Sequence, residues 1–195
     1  MPHLDVDDSV LVIIDAQPGF YGARRDDADR VMHESALARS AWVAAVAAAF
    51  DVPTVITEED ATVNGPTDPR ILSAVPTGTS AYVKTVFGAN DEPSIDAAVR
   101  RAGRSTIVLV GTETDVCVAH SALGWREAGL RPVVVHDAVY SAGAGHDNGL
   151  RRLASDGIEL MSAKELYYEW VRTLAAARSF ESDHPELASP PGFSL

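Results

Sequence analysis

Short runs of β-branched and apolar residues alternate with helix-like segments along almost the whole chain. The run Val-Leu-Val-Ile-Ile at residues 10–14 is typical, because it contains no polar residue. Strands that are apolar on both faces are characteristic of parallel sheets covered by helices on each side. The alternation therefore predicts an α/β fold: a doubly wound, mostly parallel, six-stranded sheet with helices on both faces, in a Rossmann-like arrangement.

Six strands and five helices can be assigned from hydrophobic periodicity and turn residues. We predict strands at residues 10–15, 52–57, 81–85, 106–110, 132–137 and 158–161. We predict helices at residues 26–50, 94–102, 119–128, 146–155 and 163–176, with Gly129 ending the third and Ser94 capping the second. In the first helix Val31, Ala38, Trp42 and Val46 should face inward, and residues 64–69 should form a loop.

The length of 195 residues fits one domain of ordinary size. We predict that the folded domain spans residues 1–177 and that residues 178–195 form a C-terminal tail. The tail shows no periodicity, and its Phe180, Leu187 and Phe193 have no obvious place in the pattern of the domain. It should be disordered or lie as an arm on a neighbouring subunit.

The net charge of −12 disfavours nucleic acids and anionic membranes as partners, because both are polyanions. The acidic N-terminus is unlike a secretory signal, and no apolar run reaches the ~18 residues of a membrane-spanning helix. A single cysteine excludes an intrachain disulfide and suits a reducing compartment. We therefore expect a cytoplasmic protein.

The single cysteine, Cys117, lies between an apolar strand and a helix-like segment. Amides at the N-terminus of a helix carry partial positive charge, which favours thiolate over thiol. A free cysteine is more often a small buried apolar residue. Its position at a strand-to-helix turn nevertheless favours a nucleophile.

Two charged residues interrupt apolar strands elsewhere in the chain. Asp15 ends the first predicted strand, and Lys84 lies within the third. A charge in such a run is costly to bury unless it is paired, so Asp15 and Lys84 are candidate partners of each other and of Cys117. Taken singly, Asp15 could cap a helix. Lys84 could lie on an edge strand with its ammonium in solvent. Together they suggest a base, a cationic stabiliser and a nucleophile.

These segments resemble the isochorismatase-like cysteine hydrolases, which include nicotinamidases, N-carbamoylsarcosine amidohydrolases and ureidoacrylate amidohydrolases. The resemblance rests on Asp-Ala-Gln at residues 15–17 with Phe20, on Val-Lys at residues 83–84, and on Gly-Thr-Glu-Thr-Asp-Val-Cys at residues 111–117. It implies that Asp15, Lys84 and Cys117 are catalytic and that the protein is a homo-oligomer. It also implies that the backbone amides of Glu113 and Cys117 form an oxyanion hole, with a cis peptide between Thr112 and Glu113.

Metal-dependent relatives carry an Asp-x-His motif after the second strand, where this chain has Thr-Glu-Glu-Asp-Ala-Thr at residues 57–62. Glu58, Glu59 and Asp60 offer oxygen ligands, but such an acidic run is more typical of a solvated loop. We expect no metal and no other cofactor, since the six histidines show no ligand spacing. Candidate residues of the substrate pocket, which lie near the strand ends or on the Cys117 helix, are Gln17, Phe20, Tyr21, Trp125 and Tyr140, although Trp125 is more typical of a core. His120 should pack locally.

The pattern favours a cysteine-dependent hydrolase that cleaves a C–N bond of a small amide, carbamoyl or ureido compound through a thioester. Two alternatives remain open: an isochorismatase-type hydrolase of a vinyl ether, which would not depend on Cys117, and a catalytically silent interaction protein. A nucleotide-binding module is disfavoured. The glycine-rich residues 143–149 have one residue more than Gly-x-Gly-x-x-Gly and lie far from the first strand.

Overall fold

The computed structural model describes residues 3–21 and 26–192. Six strands form one sheet in the order β3-β2-β1-β4-β5-β6, and every pairing between neighbouring strands is parallel. The strands are β1 (Ser9–Ile14), β2 (Thr54–Glu59), β3 (Ala81–Lys84), β4 (Thr106–Thr112), β5 (Arg131–Tyr140) and β6 (Glu159–Met161). The predicted doubly wound parallel sheet is confirmed.

Eight α-helices accompany these strands within the described residues. They are α1 (Arg30–Ala49), α2 (Ala61–Asn64), α3 (Pro69–Ala74), α4 (Pro93–Arg101), α5 (Ala119–Glu127), α6 (Gly145–Ser155), α7 (Ala163–Val171) and α8 (Leu174–Asp183). A π-helical turn, Thr114–Val118, leads directly into α5. Among these residues no helix combines the length and the apolar character needed to cross a bilayer.

Two apolar layers lie on opposite faces of the sheet. Alternate residues of β1 enter different layers: Leu11 and Ile13 join α1, α7 and α8, whereas Val10, Val12 and Ile14 join α4, α5 and α6. This alternation explains why β1 is apolar throughout, since each face of the strand is covered by helices. Burying both faces leaves the carboxyl ends of the strands as the place where polar side chains can meet.

Capping side chains move several helix boundaries from their predicted positions. The carboxylate of Asp29 accepts hydrogen bonds from the amides of Val31 and Met32, so α1 begins at Arg30 rather than at residue 26. Val31 is therefore in the first turn and 80% exposed, which corrects its predicted inward position, whereas Trp42 is buried. Glu92, not Ser94, caps α4. The predicted loop at residues 64–69 is reduced to residues 65–68 between α2 and α3.

The C-terminal region differs most from the prediction. One helix was expected at residues 163–176, but Arg172 adopts a left-handed conformation (φ 62°) that ends α7, and Thr173 caps a new helix, α8. The predicted domain boundary after residue 177 falls inside α8. Phe180 is buried, and its ring stacks on Phe50 at a centroid distance of 4.8 Å. The expectation that Phe180 has no place in the core is therefore wrong.

Residues beyond α8 also contact the main body of the protein. Trp42 Nε1 donates a hydrogen bond to the carbonyl of Leu187 (3.1 Å), and Arg39 Nε donates one to the carbonyl of Pro191 (3.1 Å). Leu187 packs against the same apolar layer as α1 and α8. The chain up to residue 192 is thus tied to its own domain; Phe193 lies outside the described residues.

Candidate active site

Asp15, Lys84 and Cys117 meet at the carboxyl edge of the sheet. The Lys84 ammonium lies 2.6 Å from Asp15 Oδ2 and 3.6 Å from Cys117 Sγ. All three side chains are buried. The predicted convergence of these residues is confirmed, although proximity alone does not assign their roles.

Asp15 is held by its neighbours in a conformation that most residues avoid. Its φ of 44° lies in the left-handed region, where a non-glycine residue is strained. The Thr57 hydroxyl donates to Asp15 Oδ1 (2.7 Å), and the Thr112 hydroxyl donates to the Asp15 carbonyl (2.6 Å). These bonds from β2 and β4 turn the end of β1 so that the carboxylate faces Lys84.

Gly111 allows β4 to approach the end of β1. It has a φ of 115°, and a β-carbon built there would overlap the carbonyl oxygen of Ile14. Only glycine fits both requirements. The close approach brings Thr112 within reach of Asp15 and starts the segment that carries Cys117.

Lys84 is the last residue of the edge strand β3, yet it turns inward. Besides Asp15, its ammonium donates to the Val86 carbonyl (3.0 Å) and lies 3.5 Å from Glu59 Oε2. The alternative of an edge-strand lysine reaching solvent is therefore wrong. Burial alone would lower the pKa of Lys84, but the carboxylate of Asp15, with smaller contributions from Cys117 and Glu59, raises it above its ordinary value.

Cys117 lies in the π-helical turn between β4 and α5, after a cis peptide joining Thr112 and Glu113 as the resemblance implies. Its thiol donates a hydrogen bond to Glu59 Oε2 (3.1 Å). Burial raises the pKa of the thiol, and the Asp15 carboxylate and Glu59 raise it further against the opposing effect of Lys84. These effects favour a protonated thiol at rest, against the thiolate that the helix end alone would favour.

Asp15 responds to burial in the same sense. Removal from water raises the pKa of its carboxyl above the ordinary value, although Lys84 and the Thr57 hydroxyl favour the charged form. A carboxylate with a raised pKa is a stronger base than one in water. The arrangement can therefore move a proton between the thiol and Asp15.

Glu59 is the site residue that the sequence did not reveal. It ends β2 and pairs in register with Lys84, and Oε2 contacts both Lys84 and Cys117. The acidic run is not a solvated loop, because Glu58 is also buried and accepts hydrogen bonds from the amide and hydroxyl of Thr67. Only Asp60 of the three is exposed.

The register of the sheet identifies Glu59 as a residue of the site. Three neighbouring parallel strands, β1, β2 and β3, end at the same edge, so the last residues of β2 and β3 must lie beside Asp15. Asp15 and Cys117 also follow strands that end at this edge, and the same reasoning extends to the carboxyl end of β2.

The predicted pocket residues occupy different environments. Gln17 is completely buried, with its amide bonded to the backbone of Glu59 and Gly65. Trp125 is also completely buried; its indole donates to Asp96 Oδ1 (3.0 Å) within the layer of α4 to α6, so it is a core residue. Neither side chain is exposed; the assignment of Gln17 to the pocket stays a prediction, and the burial of Trp125 agrees with the core role that is typical of such a residue.

The remaining three pocket candidates form an aromatic cluster next to the nucleophile turn. Tyr21 donates from its hydroxyl to Glu113 Oε1 (3.0 Å), and its ring lies 5.0 Å from that of Tyr140. The Tyr140 hydroxyl accepts from the Asp29 amide (2.7 Å), and Phe20 packs half-buried against the cluster. His120 is exposed and its ring lies 6.0 Å from that of Phe87.

Asp15, Glu59 and Cys117 also have the donor atoms of a metal site. Among the described residues their ligand atoms lie within 4.8 Å of one another. The Lys84 ammonium, 2.6 Å from Asp15, already offsets part of the negative charge of this group and would repel a cation. The buried ion pair accounts for the cluster, and the absence of a metal from the active protein remains a prediction.

Residues 9–165 match the family model of the isochorismatase domain. The chain belongs to the isochorismatase family. It is 28% identical over 191 residues to the probable hydrolase YcaC of Escherichia coli, covering 93% of this chain and 88% of that protein. It is 32% identical over 127 residues to isochorismatase domain-containing protein 2 of Bos taurus, covering 65% of this chain and 60% of that protein.

Solved structures agree with the family assignment. The YcaC gene product of Escherichia coli, described as an octameric hydrolase of unknown specificity, has a TM-score of 0.77 at 25% identity, over 96% of this chain and 93% of that one. The MAR1 ribonuclease of Caenorhabditis elegans has a TM-score of 0.83 at 20% identity, over 100% and 98% of the two chains, and shows the shared fold alone. The protein is an isochorismatase-family hydrolase.

Proposed function

We propose that this hydrolase cleaves the C–N bond of a small amide, carbamoyl or ureido compound through a thioester on Cys117. One observation carries the proposal: a thiol contacts a buried carboxylate–ammonium pair at the ligand-binding edge of the sheet. A nucleophile beside a base that is itself oriented by a third group is the usual arrangement for covalent catalysis.

In the proposed first step, the sulfur of Cys117 attacks the carbonyl carbon while the thiol proton passes to Asp15. Because the raised pKa of the thiol disfavours a free thiolate, the proposed step has Asp15 take the proton as the sulfur attacks. The raised pKa of Asp15 favours its role as the acceptor. Lys84 keeps Asp15 in place and offsets the negative charge that develops on sulfur.

The tetrahedral intermediate would place its oxyanion near the amides of Glu113 and Cys117, the donors that the family resemblance implies. Asp15 then gives its proton to the leaving nitrogen, the C–N bond breaks, and an amine or ammonia departs. Water, deprotonated by Asp15, attacks the thioester carbon and releases the acid and the thiol. The route requires no metal, so a chelator should leave turnover unchanged.

The direct test is to incubate the protein with amides, ureas and carbamoyl compounds and follow amine or ammonia release. We expect an acyl adduct on Cys117 by mass spectrometry with a slow substrate, and nearly complete loss of turnover in Cys117→Ala and Cys117→Ser. His120→Ala, which alters an exposed residue in the first turn of α5, is the control. Full activity of Cys117→Ala would refute the thioester route and favour the vinyl-ether reaction.

We further propose that the protein is a homo-oligomer, supported by the octameric YcaC relative of Escherichia coli. Oligomers of identical chains are usually symmetric and closed. Sedimentation at micromolar concentration should show a species larger than the 20.7 kDa monomer.

A further inference from the structure

We propose that Glu59 is a specificity residue, whose carboxylate selects substrates that present an N–H donor or a positive charge beside the scissile carbonyl and rejects those that present a carboxylate there. The inference rests on the proposed function and narrows it. Neutral amides and ureas fit the site, whereas anionic ureido acids do not.

The balance of charge beside the nucleophile is the first observation. The charged side chains that the described part of the chain places against Cys117 are Asp15, Glu59 and Lys84. The thiol is uncharged at rest, so one ammonium faces two carboxylates. A further negative charge brought in by a substrate would meet net repulsion, which is strong in a site of reduced dielectric constant.

The second observation is that Glu59 alone among these three groups is open to an incoming molecule. The side chains of Asp15 and Lys84 have no exposed surface, whereas that of Glu59 is 22% exposed. Its Oε2 is engaged by Lys84 and Cys117, and within the described residues Oε1 has no hydrogen-bond partner. A substrate group next to the attacked carbonyl therefore approaches a carboxylate oxygen that can accept a hydrogen bond.

The third observation is that the backbone of Glu59 is fixed. Gln17 accepts from the Glu59 amide (2.8 Å) and donates to its carbonyl (3.2 Å), and Asn64 donates to the same carbonyl (2.9 Å). The buried Gln17 amide thus binds both backbone groups of one residue. A carboxylate on such a support keeps its position when a substrate enters, which is what selectivity requires.

The single cysteine makes a direct test possible without knowing the substrate. Two methanethiosulfonate reagents, one bearing a trimethylammonioethyl group and one a sulfonatoethyl group, transfer their thioalkyl group to the Cys117 thiolate with release of methanesulfinate. Both reagents require the thiolate, so the ratio of their rates cancels the pKa of Cys117. The ratio then reports the charge that each reagent meets at the site.

We expect the ratio of cationic to anionic labelling rates to fall by about tenfold in Glu59→Gln, which removes the charge but keeps the shape. Asp60→Asn removes the same charge from the neighbouring exposed residue and should change the ratio by less than about twofold. Glu59→Asp keeps the charge, so its ratio of labelling rates should stay closer to that of the parent protein. It therefore tests the role of the charge even if Glu59→Gln fails to fold. An unchanged ratio in Glu59→Gln, or an equal change in Asp60→Asn, would overturn the proposal.

Hydrolysis assays distinguish the specificity role of Glu59 from the proposed C–N hydrolase function. A terminal urea and the matching ureido acid should differ in kcat/KM in favour of the urea, and Glu59→Gln should reduce that preference. If the parent protein hydrolyses neither compound nor any other amide, the proposed function fails while the labelling ratios still decide the role of Glu59. If it hydrolyses the ureido acid better than the urea, the specificity proposal fails alone.

Discussion

The state of Cys117 depends on a competition between one cation and several opposing effects. Lys84 favours the thiolate, but burial, Asp15 and Glu59 all favour the thiol, and together they raise its pKa. The position of Cys117 before α5 does not reverse this result. An isolated helix end is a weak effect compared with a carboxylate in direct contact.

The raised pKa predicts how Cys117 reacts with iodoacetamide. An ordinary thiol has a pKa of about 8.5, so its labelling rate levels off above that pH. Because the pKa of Cys117 is raised, its thiolate appears only at higher pH, and its labelling rate should still be rising where that of the urea-unfolded protein has levelled off. Stopped-flow or quenched labelling of the single cysteine measures this directly. A rate that levels off at or below neutral pH would contradict the assignment of a resting thiol.

The buried pair of Asp15 and Lys84 predicts an unequal effect of single and double substitutions. Lys84→Met leaves a buried carboxylate without its cation, and we expect a loss of about 3–5 kcal/mol in the free energy of unfolding at pH 7. Adding Asp15→Asn should recover part of that loss, because the orphaned charge is removed. Urea denaturation of both variants measures the difference.

The sign of the pH dependence follows from linkage. In Lys84→Met the native state holds Asp15 protonated to a higher pH than the unfolded chain does. The native state then binds more protons, and stability falls as the pH rises through the raised pKa. The loss of unfolding free energy in Lys84→Met should be smaller at pH 5 than at pH 8. The double variant with Asp15→Asn should not show this difference. A loss independent of pH would mean that Asp15 is not the orphaned charge.

Three of the four charged or nucleophilic site residues could be predicted from the sequence. Asp15 and Lys84 interrupt apolar strands, where an unpaired charge is costly, and Cys117 follows one. Glu59 could not be separated from Glu58 and Asp60, because three consecutive acidic residues are usually solvated. Which of them faces the site depends on where β2 ends relative to β1 and β3.

At the scale of elements, all six strands were predicted, whereas the start of α1, the short helices α2 and α3 and the break between α7 and α8 were not. A buried strand is defined by its own composition, whereas a helix begins at whichever side chain reaches its free amides. Asp29 moves the start of α1 by four residues from the predicted position, and Glu92 replaces Ser94 as the cap of α4. The short helices α2 and α3 carry too few residues for a periodic signal.

The approach of β4 to β1 at Gly111 predicts a severe effect of a single methyl group. Gly111→Ala would place its β-carbon on the Ile14 carbonyl and in a conformation that only glycine tolerates well, so we expect a loss of more than about 3 kcal/mol or no soluble protein. Gly103→Ala is the matched control. It also has a positive φ, of 67°, but open space around it.

In the control Gly103→Ala, the free energy of unfolding should fall only by the cost of the left-handed conformation, about 1–2 kcal/mol. Thermal unfolding of the two variants separates steric overlap from backbone strain. Equal losses would show that β1 and β4 can move apart at Gly111 without cost, and the support of Asp15 by Thr112 would then need another explanation.

At the scale of the whole molecule, the parallel sheet with two covered faces could be predicted, but the extent of the domain could not. Residues 178–195 lack periodicity of their own, since α8 contributes a single large aromatic, Phe180, to the core. Its partners are Phe50, which is distant in sequence, and Tyr167, which lies in the preceding helix α7. Only the tertiary structure shows that these rings meet and that the domain continues past residue 177.

This packing predicts that the C-terminal region stabilises the domain that carries the site. Phe180 is 6% exposed, with its ring 4.8 Å from that of Phe50 and 5.4 Å from that of Tyr167. Phe180→Ala should therefore cost about 3–5 kcal/mol of unfolding free energy, as for other large aromatic deletions in cores. Leu174→Ala lies in the same helix but is 75% exposed, and it should change stability by no more than about 0.5 kcal/mol.

Denaturant unfolding at several protein concentrations checks both values and separates the two possible roles of α8. A loss in Phe180→Ala that is independent of concentration places its contribution within one chain, as the ring contacts indicate. A loss that grows as the protein is diluted would instead assign α8 to an interface between subunits. In that case the predicted role of the C-terminal region as an oligomer arm would be retained, and its role as part of the core would be abandoned.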